Sequence, residues 1–342
     1  MRNDTRLAFN AYTQQLAQLS GVPSATQMFS VEPTVQQKLE KRIQESSAFL
    51  GRVNIIGVDE LKGEKVGIGV SGTIAGRTDT SGGNAERVPR DVTALDARQY
   101  ECHKTDFDTA IPYARLDTWA KFPNFQTLLR DSIIERQALD RLMIGFNGTS
   151  AAATTNRNSN PLLQDVNIGW LEQYRKHASD RVLKEVESSS GKVKVGNSVT
   201  GAQGYKNLDA LVFDAVQMLD PWHRKNPGLV VVTGRELAHD KYFPLVNVND
   251  GSREKLATDI ILSQKRLGGL PLMEVPYMPD NTLLITSLEN LSIYYQIGAR
   301  RRMVKEKPEK NRIENYESSN DAYVVEDYGL GCVVENIELV EG

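Results

Sequence analysis

Residues 62–83 read KGEKVGIGVSGTIAGRTDTSGG, a stretch that threads seven glycines through the pattern of a β-strand. Val66, Ile68 and Val70 alternate with glycine and serine, which is the period of two expected of a strand. Residues 80–84 predict the tip of a hairpin, and the return strand is expected around residues 87–89. Glycine offers no side chain for packing, and an isolated two-stranded hairpin is marginal in water. The hairpin therefore needs another surface, either the body of its own chain or a neighbouring copy.

The composition is that of an ordinary globular protein. The chain has 342 residues, of which 40% are hydrophobic and 25% are charged, enough for two domains. A net charge of −3 creates no strong field toward nucleic acid or an anionic membrane. The amino terminus lacks the apolar core of a signal peptide, and no apolar run approaches the roughly 18 residues of a membrane span. Because Cys102 and Cys332 fit no metal-binding spacing, we expect a cytoplasmic protein with free thiols.

Helical patterns at residues 1–20 and 34–50 open the chain, and a strand is predicted at residues 52–58. The break at Gly21, Val22 and Pro23 ends the first helix, so the segment that joins the two helices is expected to be loose. Both helices are polar on most faces. We therefore expect an arm here rather than a core.

The strongest helix signal covers residues 122–148. Its apolar residues form one broad stripe, Pro123 suits a first helical turn, and Gly148 suits the end of a helix. Before it, the alternation at residues 107–113 predicts a strand with Phe107, Thr109, Ile111 and Tyr113 on one face.

The remainder of the chain predicts a mixed α/β domain followed by a strand-rich tail. Residues 149–300 alternate between strand and helix patterns, with a loop holding a short hairpin at 185–206. Residues 324–325, 332–334 and 337–339 are strand-like. We expect all three to return to the sheet begun by residues 107–113.

The tail also divides by charge. Residues 300–312 carry seven basic and two acidic side chains, and residues 313–342 carry eight acidic and no basic ones. Three interpretations stay open for the basic run. It contacts phosphate, it forms a solvated hairpin, or a neighbouring copy pairs it with the acidic tail.

We find no catalytic, cofactor-binding or metal-binding set in the sequence. Residues 67–72 match G-x-G-x-x-G, but a dinucleotide site needs a helix directly after the glycines, and residues 73–77 continue with turn residues. The four histidines share no metal-binding spacing, and there is neither a P-loop nor a nucleophile elbow. We therefore predict that the chain is not an enzyme and holds no cofactor.

Long, distinctive strings recur along almost the whole chain. They are QESSAFL (44–50), KGEKVGIGVSGTIAGRTDT (62–80), FNG (146–148), SNPLLQDVNIGWLEQYR (159–175), DKYFPLVN (240–247), SQKRLGGLP (263–271), LENLSIYYQ (288–296) and ENYESSNDAYVVEDYG (314–329). Together they resemble the major capsid proteins of tailed bacteriophages. The closest group is the temperate myophages of the Peduovirus type.

The resemblance implies an α+β fold, the tailed-phage and herpesvirus major capsid (Johnson) fold. Its parts would be an N-terminal arm at 1–50, a segment at 51–148, an axial domain at 149–300, and C-terminal strands at 301–342. The second segment would hold the extended loop (about 59–100), strands of the peripheral domain and the long spine helix (122–148). The C-terminal strands would complete the peripheral domain.

The resemblance also implies a function and partners. The chain would self-assemble as hexamers and pentamers into an icosahedral head shell, bind packaged double-stranded DNA without sequence specificity, and contact no membrane. Its other partners would be an internal scaffolding protein, a maturation protease and a portal protein. Assembly would take place in the bacterial host cytoplasm, and the product would be the virion capsid.

Two sets of residues follow as candidates. N-terminal processing is expected in the loose join between the first two helices, at Phe29, Ser30 or Val31. Contacts between subunits are expected from charged residues of the glycine-rich loop, with a basic triplet and the acidic tail as receivers. The loop residues are Lys62, Glu64, Lys65, Arg77 and Asp79, and the triplet is Arg300, Arg301 and Arg302.

Two other functional classes stay open. The first is an oligomeric α/β enzyme that uses residues 62–83 as a glycine-rich ligand loop, and the second is a nucleic-acid-binding module, against which the net acidity argues. An enzyme is expected to form a small closed oligomer with a ligand-dependent melting shift. A capsid protein is expected to form capsomers or shells.

Overall fold

The computed structural model describes residues 1–65, 69–70, 75–79, 81, 86–88, 93–94, 99–119, 125–201, 203–239 and 265–340. Its helices include α1 (Asn3–Leu19), α2 (Pro33–Glu45), α3 (Tyr113–Trp119), α4 (Phe125–Asn147), α5 (Trp170–His177) and α6 (Leu208–Ala215). The strands of the first half are β1 (Phe29–Ser30), β2 (Asn54–Val58), β3 (Lys62–Glu64), β4 (Gly69–Val70), β5 (Thr93–Ala94), β6 (Gln99–Glu101), β7 (His103–Asp106) and β8 (Thr109–Pro112). Those of the second half are β9 (Val182–Leu183), β10 (Val193–Val195), β11 (Gly204–Tyr205), β12 (Leu229–Thr233), β13 (Arg266–Leu267), β14 (Leu270–Glu274), β15 (Leu283–Ser287), β16 (Leu291–Gln296), β17 (Arg301–Lys307), β18 (Arg312–Val325), β19 (Gly331–Val334) and β20 (Ile337–Leu339).

The long strand β18 organises the largest sheet. Its 14 residues pair antiparallel with β17, β16, β7 and β8, and β1 and β2 lie at the two ends of the strand order β1-β17-β18-β16-β2. The predicted strand at 107–113 is present as β8, which ends at Pro112 because Tyr113 begins α3. Ile313 of β18 lies opposite Ile111 of β8. The expected return of the C-terminal segment to this sheet is therefore confirmed for β18.

The return is wrong for the last two strands. Strand β19 lies between β15 and β9 in a six-stranded sheet with the order β13-β14-β12-β15-β19-β9, and β20 pairs with β10. Conversely β16, which falls within the predicted axial segment 149–300, pairs with β18 and β2. All four residues of β19 are buried. A run that is apolar on both faces fits the interior of any sheet, so its pattern does not tell one sheet from another.

The loop predicted at 185–206 contains strands but no hairpin among its described residues. β10 is parallel to both β11 and β20, so the third sheet has the order β11-β10-β20. The buried residues Val193 and Val195 of β10 join a core cluster with Leu211 and Val212 of α6. Three short segments distant in sequence thus complete one sheet by burying their apolar side chains together.

Helix α4 is the long helix that the apolar stripe predicts. Its 23 described residues span about 35 Å, and the expected helix stop is present, since Gly148 follows the last helical residue. Near its end Phe146 packs against Trp170 of α5, with ring centroids 5.4 Å apart, and Trp170 packs edge-on against Tyr323 of β18 at 5.3 Å. These aromatic rings belong to the largest core cluster and bind α4 and α5 to the main sheet. Pro123 lies outside the described residues.

The two N-terminal helices form where the sequence predicts them, but the join between them is not loose. Phe29 and Ser30 pair antiparallel with Arg302 and Arg301 of β17, and Phe29 and Val31 are buried. Phe9 and Leu16 of α1 are buried in the same cluster. The strand signal at the join is too short to read in the sequence, because only Phe29 and Val31 alternate with Ser30.

Candidate assembly surfaces

The glycine-rich hairpin is present as two described strand pairs, but the return strand predicted at residues 87–89 is wrong, because residues 87 and 88 lie outside any strand and the return strand is β5 at Thr93–Ala94. We call residues 62–101 the arm, which is a different segment from the N-terminal arm expected at residues 1–50. Strand β3 pairs antiparallel with β6, and further out β4 pairs antiparallel with β5. The rest of the predicted strand 66–70 and most of the predicted tip 80–84 lie outside the described residues. Each described arm pair forms a two-stranded sheet of its own, so the described strands of the arm do not join the sheets of the body.

Four of the five charged candidates on the arm are exposed. Lys62 and Glu101 form an ion pair across β3 and β6 at 2.8 Å, with side chains 58% and 45% exposed. Glu64, Arg77 and Asp79 are exposed as well. Hydrogen bonds from the hydroxyl and the backbone N–H of Ser81 lower the pKa of Asp79. These four positions remain candidates for contacts between subunits.

The fifth, Lys65, is engaged within its own chain. Its side chain is buried, and Nζ donates a hydrogen bond to the carbonyl oxygen of Val325 at 2.7 Å. The same ammonium lies 4.3 Å from the ring centroid of Tyr328, which is a favourable cation–π distance. In this structure Lys65 is therefore an anchor for the arm and not a surface charge.

The prediction that Arg300 receives a neighbouring subunit is also wrong in this structure. Its side chain is fully buried, donating from Nη1 to Glu40 at 2.6 Å, from Nη2 to Gln137 at 2.9 Å and from Nε to Glu317 at 2.8 Å. A buried guanidinium whose N–H donors lacked acceptors would cost folding free energy. The burial of Arg300 therefore requires these three acceptors. Arg300 holds α2, α4 and β18 to one another, and it is not available to receive a neighbour's arm.

The pairing expected between copies occurs inside the chain. The basic run forms the hairpin of β17 and β18, and Glu314 of β18 lies 3.0 Å from Lys307 and 2.6 Å from Arg312. Arg302 lies 3.5 Å from Glu317, whereas Arg301 is exposed. The predicted hairpin is thus confirmed, but the run is only partly solvated, because Arg300 is buried. Acidic residues of the same chain already neutralise part of the basic run.

Sequence reasoning missed a buried charge cluster at the junction of α2, α4 and the main sheet. Arg141 of α4 donates to Glu40 at 2.5 Å and to Asp321 at 3.2 Å, and Glu40 also receives Arg300. The cluster consists of Glu40, Gln137, Arg141, Arg300, Glu317 and Asp321, all of them buried. A signal existed, because Gln137 and Arg141 are spaced i, i+4 on the helix face that also carries the apolar residues Ile134, Ala138 and Leu142.

Burial and neighbouring charge compete in this cluster. Burial by itself raises the pKa of Glu317, but the guanidinium groups of Arg300 and Arg302 outweigh it and hold that pKa at about 2. The same balance lowers the pKa of Glu40, through Arg141 and Arg300. For Asp321 burial prevails over Arg141, and the pKa is raised. The cluster is a structural ion network whose members are all buried.

The described residues contain no cluster of His, Cys, Asp and Glu that could hold a metal ion. Both cysteines are free and buried, as expected of unpaired thiols. Within the part of the chain that the structure describes, no helix is long and apolar enough to cross a membrane. Within residues 62–83, the proposed ligand loop, β3 and β4 are strands of a hairpin and pair with β6 and β5.

Comparison with known proteins decides the family. The model of the phage major capsid proteins of the P2 family matches residues 8–337 of the chain. The chain belongs to this family. It is 50% identical to the capsid protein of Escherichia phage P2, over 99% of this chain and 96% of that one. It is also 42% identical to the major capsid protein of Serratia phage KSP20, over 100% of this chain and 99% of that one.

Solved structures agree with this P2-family membership. A chain of the satellite phage P4 procapsid including size determination (Sid) protein has a TM-score of 0.83 and 47% identity, and the match covers 100% of this chain and 99% of that one. A chain from the capsid of an empty GTA particle shares the fold at 14% identity, with a TM-score of 0.50 over 86% and 90% of the two chains. The predicted capsid fold is confirmed.

The P2-family protein is therefore a structural capsid protein that forms a homo-oligomeric shell in the virion. No comparison supports the alternative of an oligomeric enzyme. The surfaces that matter for its function are accordingly those that meet other copies.

Proposed function

We propose that this P2-family subunit assembles as hexamers and pentamers into an icosahedral head shell around double-stranded DNA, with the arm lying on an adjacent subunit. The observation that carries the proposal is the state of the arm. Its described strands pair only with each other, and Val88 near its outer part is 81% exposed. A two-stranded ribbon gains little stability alone, so contact with a neighbour would supply the missing packing.

The contact residues on the arm would be Lys62, Glu64, Arg77 and Asp79, with Arg301 and Arg302 as receivers on the next copy. Charge reversal at Arg77 is expected to lower the yield of shells. Lys310→Glu is the matched control, because Lys310 is an exposed cation at the turn between β17 and β18. Equal shell yields for Arg77→Glu, Lys310→Glu and the wild type would remove Arg77 from the contact.

The direct test is electron microscopy of the purified full-length protein, alone and after coexpression with its scaffolding protein. Rings of five and six subunits and closed shells are expected. A small closed oligomer of one size under both conditions would overturn the proposal. We further propose that assembly occurs in the bacterial host cytoplasm, that a portal protein joins the shell, and that the DNA is bound without sequence specificity. A procapsid among the relatives supports an assembly precursor of this kind.

We also propose processing by a maturation protease at Phe29, Ser30 or Val31. In this structure the backbone there belongs to β1 and its flank, and Val31 donates its N–H to the carbonyl oxygen of Arg300 at 2.8 Å. Cleavage would therefore require β1 to leave the edge of β17. The intact mass of the protein from virions tests this, and a full-length N-terminus would reject it.

A further inference from the structure

Besides the chain connections to β2 and β7 of the main sheet, described side chains attach both strands at the root of the arm to the body. On the return strand, Tyr100 of β6 is buried and packs edge-on against Tyr294 of β16, with ring centroids 5.0 Å apart. Next to it, the backbone N–H of Cys102 donates to the carbonyl oxygen of Leu61 at 2.8 Å. Tyr100, Cys102 and Tyr294 belong to one apolar cluster, which also contains Val58, Ala322 and Val324. The return strand is thus held by packing.

The outgoing strand is held differently. Lys65 follows β3 directly, and it is buried although Lys62 and Glu64 beside it are exposed. Lysine is almost never buried unless its charge has a partner. Here the ammonium donates to Val325 at the end of β18 and lies over the ring of Tyr328. One side chain therefore connects the outgoing strand to the end of the central strand of the main sheet.

Between these two attachments the root is not filled. A cavity of about 190 Å³ lies beneath the arm, and its lining includes Lys65, Tyr100 and Glu101 from the arm and Gln173 and His177 from α5. It is a cleft open to solvent, since Gln99 and Glu101 in its lining are exposed, and side chains that face it have fewer packing contacts on that side. The arm can therefore tilt about the packed Tyr100 unless something holds the other strand.

We propose that Lys65 is a positioning residue that sets the angle at which the arm leaves the body, and so orients it for the adjacent subunit. The inference rests on the proposed contact between the arm and a neighbouring copy. Two attachments at different points define a direction, whereas the Tyr100 attachment alone would act as a hinge. Pre-orientation lowers the entropy that assembly must remove, and so it favours docking without adding a contact to the neighbour.

The test uses the full-length chain with three substitutions. Lys65→Met keeps the length of the side chain but removes the donor and the charge, Lys65→Arg keeps both, and the control Lys310→Met removes an exposed lysine at the turn between β17 and β18. Amide hydrogen exchange of the unassembled protein is measured at residues 62–64 and 99–101, and shell yield and diameter are measured by electron microscopy. Exchange at residues 62–64 is expected to be about tenfold faster in Lys65→Met, and unchanged in Lys310→Met. Lys65→Met shells should be fewer and less uniform, with Lys65→Arg restoring both properties.

Three outcomes would overturn the inference. Lys65→Met shells that match the wild type in yield and diameter would show that the angle does not depend on Lys65. Unchanged exchange together with poor assembly would show that Lys65 acts in some other way. Shells of Lys65→Arg that are as few and as irregular as those of Lys65→Met would also show that Lys65 acts in some other way. Deletion of residues 71–92 separately tests the proposed arm contact, because normal shells without the arm would reject that contact whatever the exchange at the root shows.

Discussion

Glu40 of α2 and Arg141 of α4 face each other 2.5 Å apart, with side chains 2% and 1% exposed. The other oxygen of Glu40 receives Arg300 at 2.6 Å. One carboxylate thus joins an N-terminal helix, the long helix and the main sheet. Such an arrangement costs desolvation and is tolerated only when every charge is met, so it specifies how the three elements meet more than it adds net stability.

Removal of the Glu40 charge should be strongly destabilising. Glu40→Gln leaves two buried guanidinium groups short of a carboxylate, and the expected loss is about 3 kcal/mol of the free energy of unfolding. Glu45→Gln, an exposed change in the same helix, should stay within about 0.5 kcal/mol of the wild type. Urea unfolding of the unassembled chain, followed by tryptophan fluorescence, measures both. Similar values for the two variants would mean that the cluster does not hold α2 in place.

The stability of the folded chain should fall in acid because of Glu317. Its pKa is about 2 in the fold, below its ordinary 4.5, so ionised Glu317 stabilises the fold above that ordinary value. This contribution is lost as the pH falls from about 4.5 to 2. Glu317→Gln should therefore be less stable at pH 7 and should lose less stability across that acid range. Glu309→Gln, an exposed change at the hairpin turn, should show the wild-type dependence of the free energy of unfolding on pH. An identical profile for all three proteins would contradict the assignment.

Gly145 of α4 lies directly against Trp170 of α5. A Cβ at this position would collide with the indole of Trp170, which is fully buried between aromatic rings and donates from Nε1 to Ser292 at 3.1 Å. Alanine normally favours a helix over glycine by about 1 kcal/mol, but overpacking should win here and cost about 1–3 kcal/mol. Gly201→Ala is the control, because nothing lies within 4 Å of its added Cβ. Thermal melting of both variants decides between the two effects.

Both thiols should be unreactive toward thiol reagents in the folded protein. Burial raises the pKa of Cys102 and of Cys332 to about 12, and the thiolate is the form that reacts. At pH 8 we expect almost no labelling by a thiol reagent under native conditions, and two labels per chain after denaturation. Rapid labelling of one cysteine in the native protein would reveal local opening around that residue.

Much of the fold was predictable from local pattern. The long helix, the outgoing strand of the glycine-rich hairpin and the strands predicted at 52–58 and 107–113 form where periodicity predicts them. Each pattern repeats over enough residues to exceed the noise of single positions. The exposed arm candidates Lys62, Glu64, Arg77 and Asp79 were also accessible to sequence reasoning, because hairpin geometry places charged loop residues at the surface.

The amino-acid sequence by itself determined the long helix, the first strands of the main sheet, the outgoing strand of the arm and the family. Only the tertiary structure decided that β19 and β20 leave the main sheet, that β1 closes the edge of β17, and that Arg300 and Lys65 point inward. The reason is physical. Periodicity reports which face of an element is apolar, whereas the partner of a buried charge is chosen by elements hundreds of residues away, as Glu40 and Arg300 show. No local pattern carries that information, because the desolvation of one ion is balanced only where its counter-ion arrives in the folded chain.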